Sequence, residues 1–267
     1  MEIGIVIHGP FCKETNKLIK NALDIFGSKN VIYVTNDNID TQYLGVNKIS
    51  PKDPGQIKYL GRKGVNILRH VQNIKEGCKY LIKADYIFKI RSDLNMSKNN
   101  FYKIKRYALR HPKKILRLKT FIHVTPWNIN DYIFGGPNFI MQRFCELVLK
   151  KTDKFMDLLI FNKYKPNQCN FLIYTPEIII SIALYAAYFN LEISDLIDTD
   201  ILTNTKMSHS AQGSFIFFQF HNIIFLFPDR LSIISKWNLR HRFQYYLKPL
   251  FMTPAINLID KVRFYVR

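Results

Sequence analysis

The chain is poor in acid. Its 267 residues hold 20 Asp and Glu against 39 Lys and Arg, a formal charge of +19. Part of that excess belongs to a composition rich in Lys, Asn and Ile. A surface of this sign attracts nucleic acid, anionic lipid or phosphorylated glycan, and charge alone does not choose among them. Cysteine is scarce as well: Cys12, Cys78, Cys145 and Cys169 stand far apart, with no CxxC and no paired Cys/His spacing. That pattern argues against a zinc site or a redox motif and leaves free thiols in a reducing compartment. Neither a Walker pattern nor a GxGxxG loop is present, so phosphate-loop chemistry has no support in the sequence. Long apolar runs are missing too. The longest uncharged stretch, Met207 to Pro228, is broken by polar residues, and its dense part, Phe215 to Phe227, reaches only about 20 Å as a helix. Two strands around His221-Asn222 suit it better than a membrane span. The opening residues lack a charged region and a cleavage site, and read as a buried strand, not a signal peptide.

What is present is an ordinary globular composition, 48% apolar and 14% aromatic, which excludes disorder and suffices for one large domain. The first hundred residues alternate strand and helix. Ile3 to Ile7 is an unbroken apolar run ending at Gly9-Pro10. Glu14 to Phe26 places Leu18, Ala22 and Phe26 on one helical face, and Gly27 stops it. Val31 to Val34 predicts a second strand running into Thr35-Asn36-Asp37. A loop with Pro51 and Asp53-Pro54-Gly55 leads to a helix of about 64–83, in which Ile67, Val71, Ile74, Cys78 and Leu81 keep three-four spacing. Tyr86 to Ile90 is the next strand, ending in Arg91-Ser92-Asp93.

This order predicts a parallel sheet covered on both faces, with ligands at the carboxyl ends of the strands. Those ends are Gly9-Pro10, Asn36-Asp37 and Arg91-Ser92-Asp93. Further on, Thr175-Pro176 opens a helix to about Asn190 that is apolar all round, hence buried. A last helix begins at Thr253-Pro254. The expected organisation is an α/β half with these strand ends at 1–110, a second half of the same domain at 111–235, and a basic tail at 236–267.

The strongest local signal is Lys89-Ile90-Arg91-Ser92-Asp93. A buried strand that delivers a carboxylate to the sheet edge suits a nucleotide-sugar enzyme. Asp93 would hold a divalent ion bridging a diphosphate, or contact sugar or ribose hydroxyls, and Arg91 would neutralise phosphate charge. A structural Arg–Asp salt bridge at a strand end explains the same residues about as well. On the preceding helix Asn66, Arg69 or His70, and Asn73 fall opposite the apolar stripe. Asn and Arg in those places suit hydrogen bonding to a nucleotide or sugar better than a plain solvated face does. His8-Gly9-Pro10, with Thr15 opening the first helix, would hold base and ribose, though taken alone the segment reads better as a plain strand-to-helix turn.

Two carboxylates are candidate bases for an acceptor hydroxyl. Asp131 stands between Trp127-Asn128-Ile129-Asn130 and Tyr132, just before Phe134-Gly135-Gly136, which reads as a sugar-binding loop. Glu177 lies in the first turn of the buried helix, where an acid also answers the helix dipole. The tail from Lys236 carries seven Lys and Arg against Asp260 alone, with seven aromatics interleaved. That composition suits docking on an anionic membrane, and equally a nucleic-acid patch or a packed basic helix pair.

In order and spacing these segments resemble the WavE lipopolysaccharide-synthesis family, bacterial proteins regarded as glycosyltransferases of GT-A-like fold. The matching pieces are Ile5 to Pro10 with Thr15, Asp53-Pro54-Gly55, Asn66 and Arg69 as N-x-x-R, Lys89 to Asp93, Asp131 with Phe134-Gly135, and Thr175-Pro176-Glu177. The resemblance runs over roughly residues 3 to 190 and implies an α/β fold with a mostly parallel nucleotide-binding sheet flanked by helices and leading into a C-terminal acceptor region; the basic helical tail lies beyond it and is read from composition alone. It implies transfer of a sugar from a nucleotide-sugar donor to lipopolysaccharide or a related surface glycan, such as capsule. Asn66, Arg69, Arg91 and Asp93 would then line the donor pocket, joined by His8, Gly9, Pro10, Thr15 and Asp37. Asp131 and Glu177 would sit on the acceptor side.

A single Asp follows the strand in place of the acid pair many such enzymes carry, so Mg²⁺ or Mn²⁺ at Asp93 stays open. Residue 70 is His where Gln is expected after the Arg. The expected setting is the cytoplasmic face of the inner membrane, with no nucleic acid bound. Two rivals are a non-catalytic nucleic-acid-binding protein and a degenerate transferase serving as a scaffold in glycan assembly. The first is disfavoured by carboxylates in the expected cleft and by the lack of a stacking module.

Overall fold

The computed structural model describes residues 1–37, 44–55, 57–59, 62–118, 131–150, 176–193 and 215–218; for 57–59, 62–65, 117–118, 176–179 and 215–218 it describes the backbone alone. Its elements, in chain order, are β1 (Ile3–His8), α1 (Lys13–Phe26), β2 (Val31–Val34), β3 (Asn47–Ile49), β4 (Ile57–Tyr59), β5 (Arg62–Val65), α2 (Ile67–Tyr80), β6 (Tyr86–Arg91), α3 (Lys98–Arg110), β7 (Ile115–Leu118), β8 (Ile133–Pro137), α4 (Asn138–Leu149), α5 (Pro176–Phe189) and β9 (Phe215–Phe218). Seven strands form one sheet in the order β3-β2-β1-β6-β8-β7-β9, and β4 and β5 form a separate hairpin. β1, β2, β3 and β6 run parallel; β8 is antiparallel to both β6 and β7, and β7 is parallel to β9. β8 alone therefore runs against the rest. This is the mostly parallel, helix-flanked α/β architecture of the GT-A-like expectation.

The period of two along the strands divides the core. Ile3, Ile5 and Ile7 of β1, with Tyr86, Phe88 and Ile90 of β6, pack with Leu18, Ile19 and Ala22 of α1 and Phe101, Ile104 and Ala108 of α3. Val6 and Ile87 face the other way, into a cluster with Ile67, Val71 and Ile74 of α2, Met141 and Phe144 of α4, and Ala183 and Leu184 of α5. The predicted buried helix at 175–190 is thus observed as α5, packed on α4.

Several sequence expectations change. The helix placed at 64–83 starts only at Ile67, because 62–65 pair with 57–59 as a hairpin. The glycines read as a sugar-binding loop lie inside β8, in register with β6. Gly135 is required there by space: a Cβ would sit 2.5 Å from the Phe88 ring and 2.7 Å from the Ile87 carbonyl oxygen. Small residues let the reversed strand press against β6. Asn73, expected on an exposed polar stripe, is buried.

The tail at 236–267, Trp127 to Asn130, Cys169, Thr175 and all of Met207–Pro228 except 215–218 lie outside the described residues. Cys12, Cys78 and Cys145 are free thiols. Among the described residues no helix is long and apolar enough to cross a membrane.

Candidate functional site

In an open parallel sheet the crevice forms where successive connections leave a strand on opposite faces. Here α1, after β1, covers one face, and α2, the helix before β6, covers the other. The crevice therefore opens at the paired carboxyl ends of β1 and β6, where His8 stands beside Arg91 in register. All three strand ends singled out in the sequence meet there. Gly9 adopts φ 123°, a conformation that excludes most side chains, and a Cβ on it would lie 2.6 Å from Ser92 Oγ. Ser92 N–H donates to the His8 carbonyl at 2.9 Å and its hydroxyl to the Pro10 carbonyl at 2.7 Å. Thr15, fully buried, donates to the Ser92 carbonyl at 3.2 Å and accepts the Cys12 N–H at 3.0 Å. Asp37 accepts the Phe11 N–H at 2.6 Å, tying the end of β2 to the same turn. These bonds hold the loop after β1 against the end of β6.

Lys89 and Arg91 share the α2 side of β6, two residues apart on one face. Arg91 is the centre of the site. Its Nε and Nη2 donate to the two oxygens of Asp93 at 3.1 and 2.7 Å, a fork-to-fork pair. Its Nη1 donates to Asp131 Oδ2 at 2.9 Å, and the guanidinium lies 4.9 Å from the Tyr132 ring centre. Asp131 is carried to this edge because it stands two residues before the reversed strand β8; the Arg91 N–H donates to the Tyr132 carbonyl at 3.0 Å. Lys89, wholly buried, rests 5.3 Å from the Phe134 ring centre. From α2, His70 brings Nδ1 to 4.0 Å from Asp131 Oδ2 and its ring to 5.2 Å from that of His8.

Electrostatics follow from this crowding. Burial first, then the charge of Lys89, holds the His8 imidazole well below its ordinary value. Burial and Lys89 likewise push His70 down to about 4, against an opposing pull from Asp131. Both rings are therefore neutral at pH 7. Burial pushes Asp131 upward, but Lys89, Arg91 and His70 outweigh it and hold the carboxyl below its usual range. The site balances two cations, Lys89 and Arg91, against two carboxylates, Asp93 and Asp131. Arg91, Asp93 and His70 are its most exposed members, with side chains 18%, 25% and 27% exposed, and Asp131 follows at 10%.

The other predicted donor residues divide. Asn66 and Arg69 stand together at the start of α2, Arg69 Nη1 donating to Asn66 Oδ1 at 3.3 Å. Arg69 is also held by Asp53, through Nε at 2.7 Å and through Nη2. Asp53 in turn accepts the Gly55 N–H at 2.9 Å, so the Asp53-Pro54-Gly55 turn anchors the arginine. It is His70, one residue on, that faces Asp131. The Glu177 side chain lies outside the described residues. Sequence reasoning undervalued Lys89 and His70. The signal for Lys89 was available, as a lysine inside the otherwise apolar run from Tyr86 to Ile90; His70 needed the packing of α2 against the sheet.

Mg²⁺ or Mn²⁺ does not fit Asp93 as placed. Both carboxylate oxygens accept from Arg91, whose charge opposes a second cation there. Among the described residues no three His, Cys, Asp or Glu side chains converge as a metal-holding group.

Fold and site define a mostly parallel α/β protein with a charge-balanced cluster at the switch point of its sheet. The sequence adds the family: residues 3–141, more than half of the chain, match the model of WavE lipopolysaccharide synthesis, and the chain belongs to that family. The matched stretch contains β1 through β8, hence every member of the cluster. No curated protein matches. Solved structures give distant likenesses. TarS of S. aureus is 11% identical at a TM-score of 0.43, covering 79% of this chain, which spans 41% of TarS. Glucosyl-3-phosphoglycerate synthase of Mycobacterium tuberculosis is 10% identical at 0.42, covering 81% of this chain and 69% of its own. A cytidylyltransferase of Leptospira borgpetersenii is 16% identical at 0.37, covering 78% and 100%.

Proposed function

We propose that the protein is a glycosyltransferase that moves a sugar from a nucleotide-sugar donor onto lipopolysaccharide or a related bacterial surface glycan. The observation that carries this reading is Arg91, fixed between Asp93 and Asp131 at the carboxyl end of β6, in a member of a lipopolysaccharide-synthesis family. An incoming diphosphate competes with Asp93 for the guanidinium. Asp93, released, is an acceptor for ribose or sugar hydroxyls, and Arg91 stabilises charge as the nucleoside diphosphate departs. Buried Lys89 adds positive potential from behind, at no reorganisation cost during the reaction.

Asp131, ionised, accepts a hydrogen bond from the acceptor hydroxyl and takes its proton as the bond to the anomeric carbon forms. Glu177, in the first turn of α5, is the second candidate for that role. Single displacement inverts the anomeric centre. His8, Gly9, Pro10, Thr15 and Asp37 shape the floor for base and ribose, and Asn66 and Arg69 line its rim. Residues 1–110 form the donor half and 111–235 the acceptor half. The reaction belongs at the cytoplasmic face of the inner membrane, where the tail at 236–267 touches anionic lipid.

A thermal-shift panel of nucleotides and nucleotide sugars, with and without Mn²⁺, tests the proposal. A true donor at a hundred times its Kd stabilises the fold by roughly 2.7 kcal/mol. Asp93→Ala should still fold, with an unchanged circular dichroism spectrum though a lowered melting temperature, while transfer falls about 100-fold or more. A panel without any shift, or wild-type turnover by Asp93→Ala, sinks the reading.

A further inference from the structure

The sequence contains no acid from Leu94 to Asn130, a stretch that includes the whole of α3. Residues 98–114 hold seven lysines and arginines. The helix is secured on its inner side: Phe101, Ile104 and Ala108 are fully buried against the α1 side of the sheet. Two of its cations are engaged inward, Lys98 with Asp24 at 2.6 Å and Lys105 with the Ile25 carbonyl at 3.2 Å and the Phe26 ring at 5.5 Å. Ser97 caps it through the Asn100 N–H at 3.3 Å. Position and rigidity are thereby set.

The outward face is different. Tyr102, Arg106 and Leu109 follow one another at four- and three-residue steps, so they lie in one row. Lys103 and Arg110 flank that row. Tyr102 is 57% exposed and Leu109 51%, two of the few large apolar side chains that the described residues leave in water. A shallow hollow between Asn99, Tyr102, Lys103, Arg106 and Leu109 runs along the same face.

We infer that this face of α3 docks on an anionic lipid bilayer, with Lys103, Arg106 and Arg110 at the headgroup phosphates and Tyr102 and Leu109 entering between them. Charge complementarity argues for the phosphates, and the apolar row argues for a bilayer. A single strand would draw on a series of stacking rings, of which this face offers one tyrosine, and a duplex held through its phosphates would leave Tyr102 and Leu109 in water. A bilayer accepts a tyrosine and a leucine within a basic stripe, as interfacial helices do. α3 begins just after the Arg91-Ser92-Asp93 strand end, and Met96 is held by the Asn21 side chain at 2.7 Å, which fixes the start of the helix against α1. The helix is about 20 Å long, and docking its outer face leaves the cluster, on the α2 side of the sheet, turned away from the lipid. The inference does not rest on the transferase reading and assigns a surface distinct from the tail.

The test is co-sedimentation of the full chain with vesicles of phosphatidylethanolamine and phosphatidylglycerol, against vesicles of phosphatidylcholine alone. Wild type should bind the anionic vesicles, and binding should weaken as salt rises. The combined variant Lys103→Glu, Arg106→Glu and Arg110→Glu should lower partitioning by about 100-fold or more at unchanged circular dichroism. Tyr102→Ser with Leu109→Ser should lower it about tenfold and leave the salt dependence in place. Should the charge variant misfold, Leu109→Trp gives a second reading: acyl-brominated lipid should quench the new fluorescence beyond that of the parent. Undiminished vesicle binding by the folded charge variant, or no added quenching in Leu109→Trp, overturns the inference. So does a preference for a single-stranded oligonucleotide over anionic vesicles that the same charge variant abolishes.

Discussion

The two faces of β6 were built under opposite rules. Tyr86, Phe88 and Ile90, on the α1 and α3 side, are fully buried and apolar to the end of the strand. The alternate residues, Ile87, Lys89 and Arg91, begin apolar and turn cationic as the strand nears the crevice. β1 repeats the contrast with Ile3, Ile5 and Ile7 against Val6 and His8. One face is a core whose every contact stabilises the fold. The other gives up apolar burial in its last turn of pleat to gather charge where a ligand can reach it, the kind of local cost that functional sites carry. His8 illustrates it: the ring is buried, and neither nitrogen has a hydrogen-bond partner among the described residues.

That contrast can be broken by experiment. The largest effect should come from the apolar face. Phe88→Ala removes a ring packed 5.0 Å from that of Tyr86 and against Gly135, and should cost about 4 kcal/mol in denaturant unfolding. A cost under 1 kcal/mol would mean that the two faces do not differ in the way described. Acid should act next, and through the other face. His8 and His70 bind protons less readily in the folded state than in the unfolded chain, so the unfolded state gains protons first as pH falls. Stability present at neutral pH is then lost below about 6.5, down to about 4 for His70, amounting to roughly 2 kcal/mol by pH 5 from that ring alone. Asp131, held low, adds a loss only at still lower pH. A stability curve flat from pH 7 to 5 would contradict the depressed histidines.

The smallest effect is also the sharpest. His8→Leu replaces an unpartnered imidazole by an apolar side chain of similar size. It should leave stability at pH 7 within about 1 kcal/mol of wild type, on either side, and flatten part of the acid limb. A loss well above that would show that the imidazole makes a contact the fold needs.

Most of the first hundred residues are legible in the sequence, because their apolar spacing is unambiguous: β1, α1, β2 and β6 fall within a residue or two of expectation, as does α5 further along. The hairpin β4–β5 was missed because Ile57-Lys58-Tyr59 and Arg62-Lys63-Gly64-Val65 are too short and polar to carry a period of two. β8 was missed for a different reason. Phe134-Gly135-Gly136-Pro137 has turn composition, and only the closeness of Phe88 explains glycine in a strand. In the site, Arg91-Ser92-Asp93 was legible as a strand end, whereas the link from Arg91 to Asp131 joins residues forty positions apart.

By itself, then, the sequence determined the alternation of strands and helices, the charged end of β6 and the excess of positive surface, since each is written in residue type and short-range spacing. The tertiary structure decided which carboxylate faces Arg91, which α2 residue reaches the cluster, and which side of each strand became core. Those choices depend on strand order, on the reversed direction of β8 and on the angle at which α2 crosses the sheet, and no local pattern encodes them.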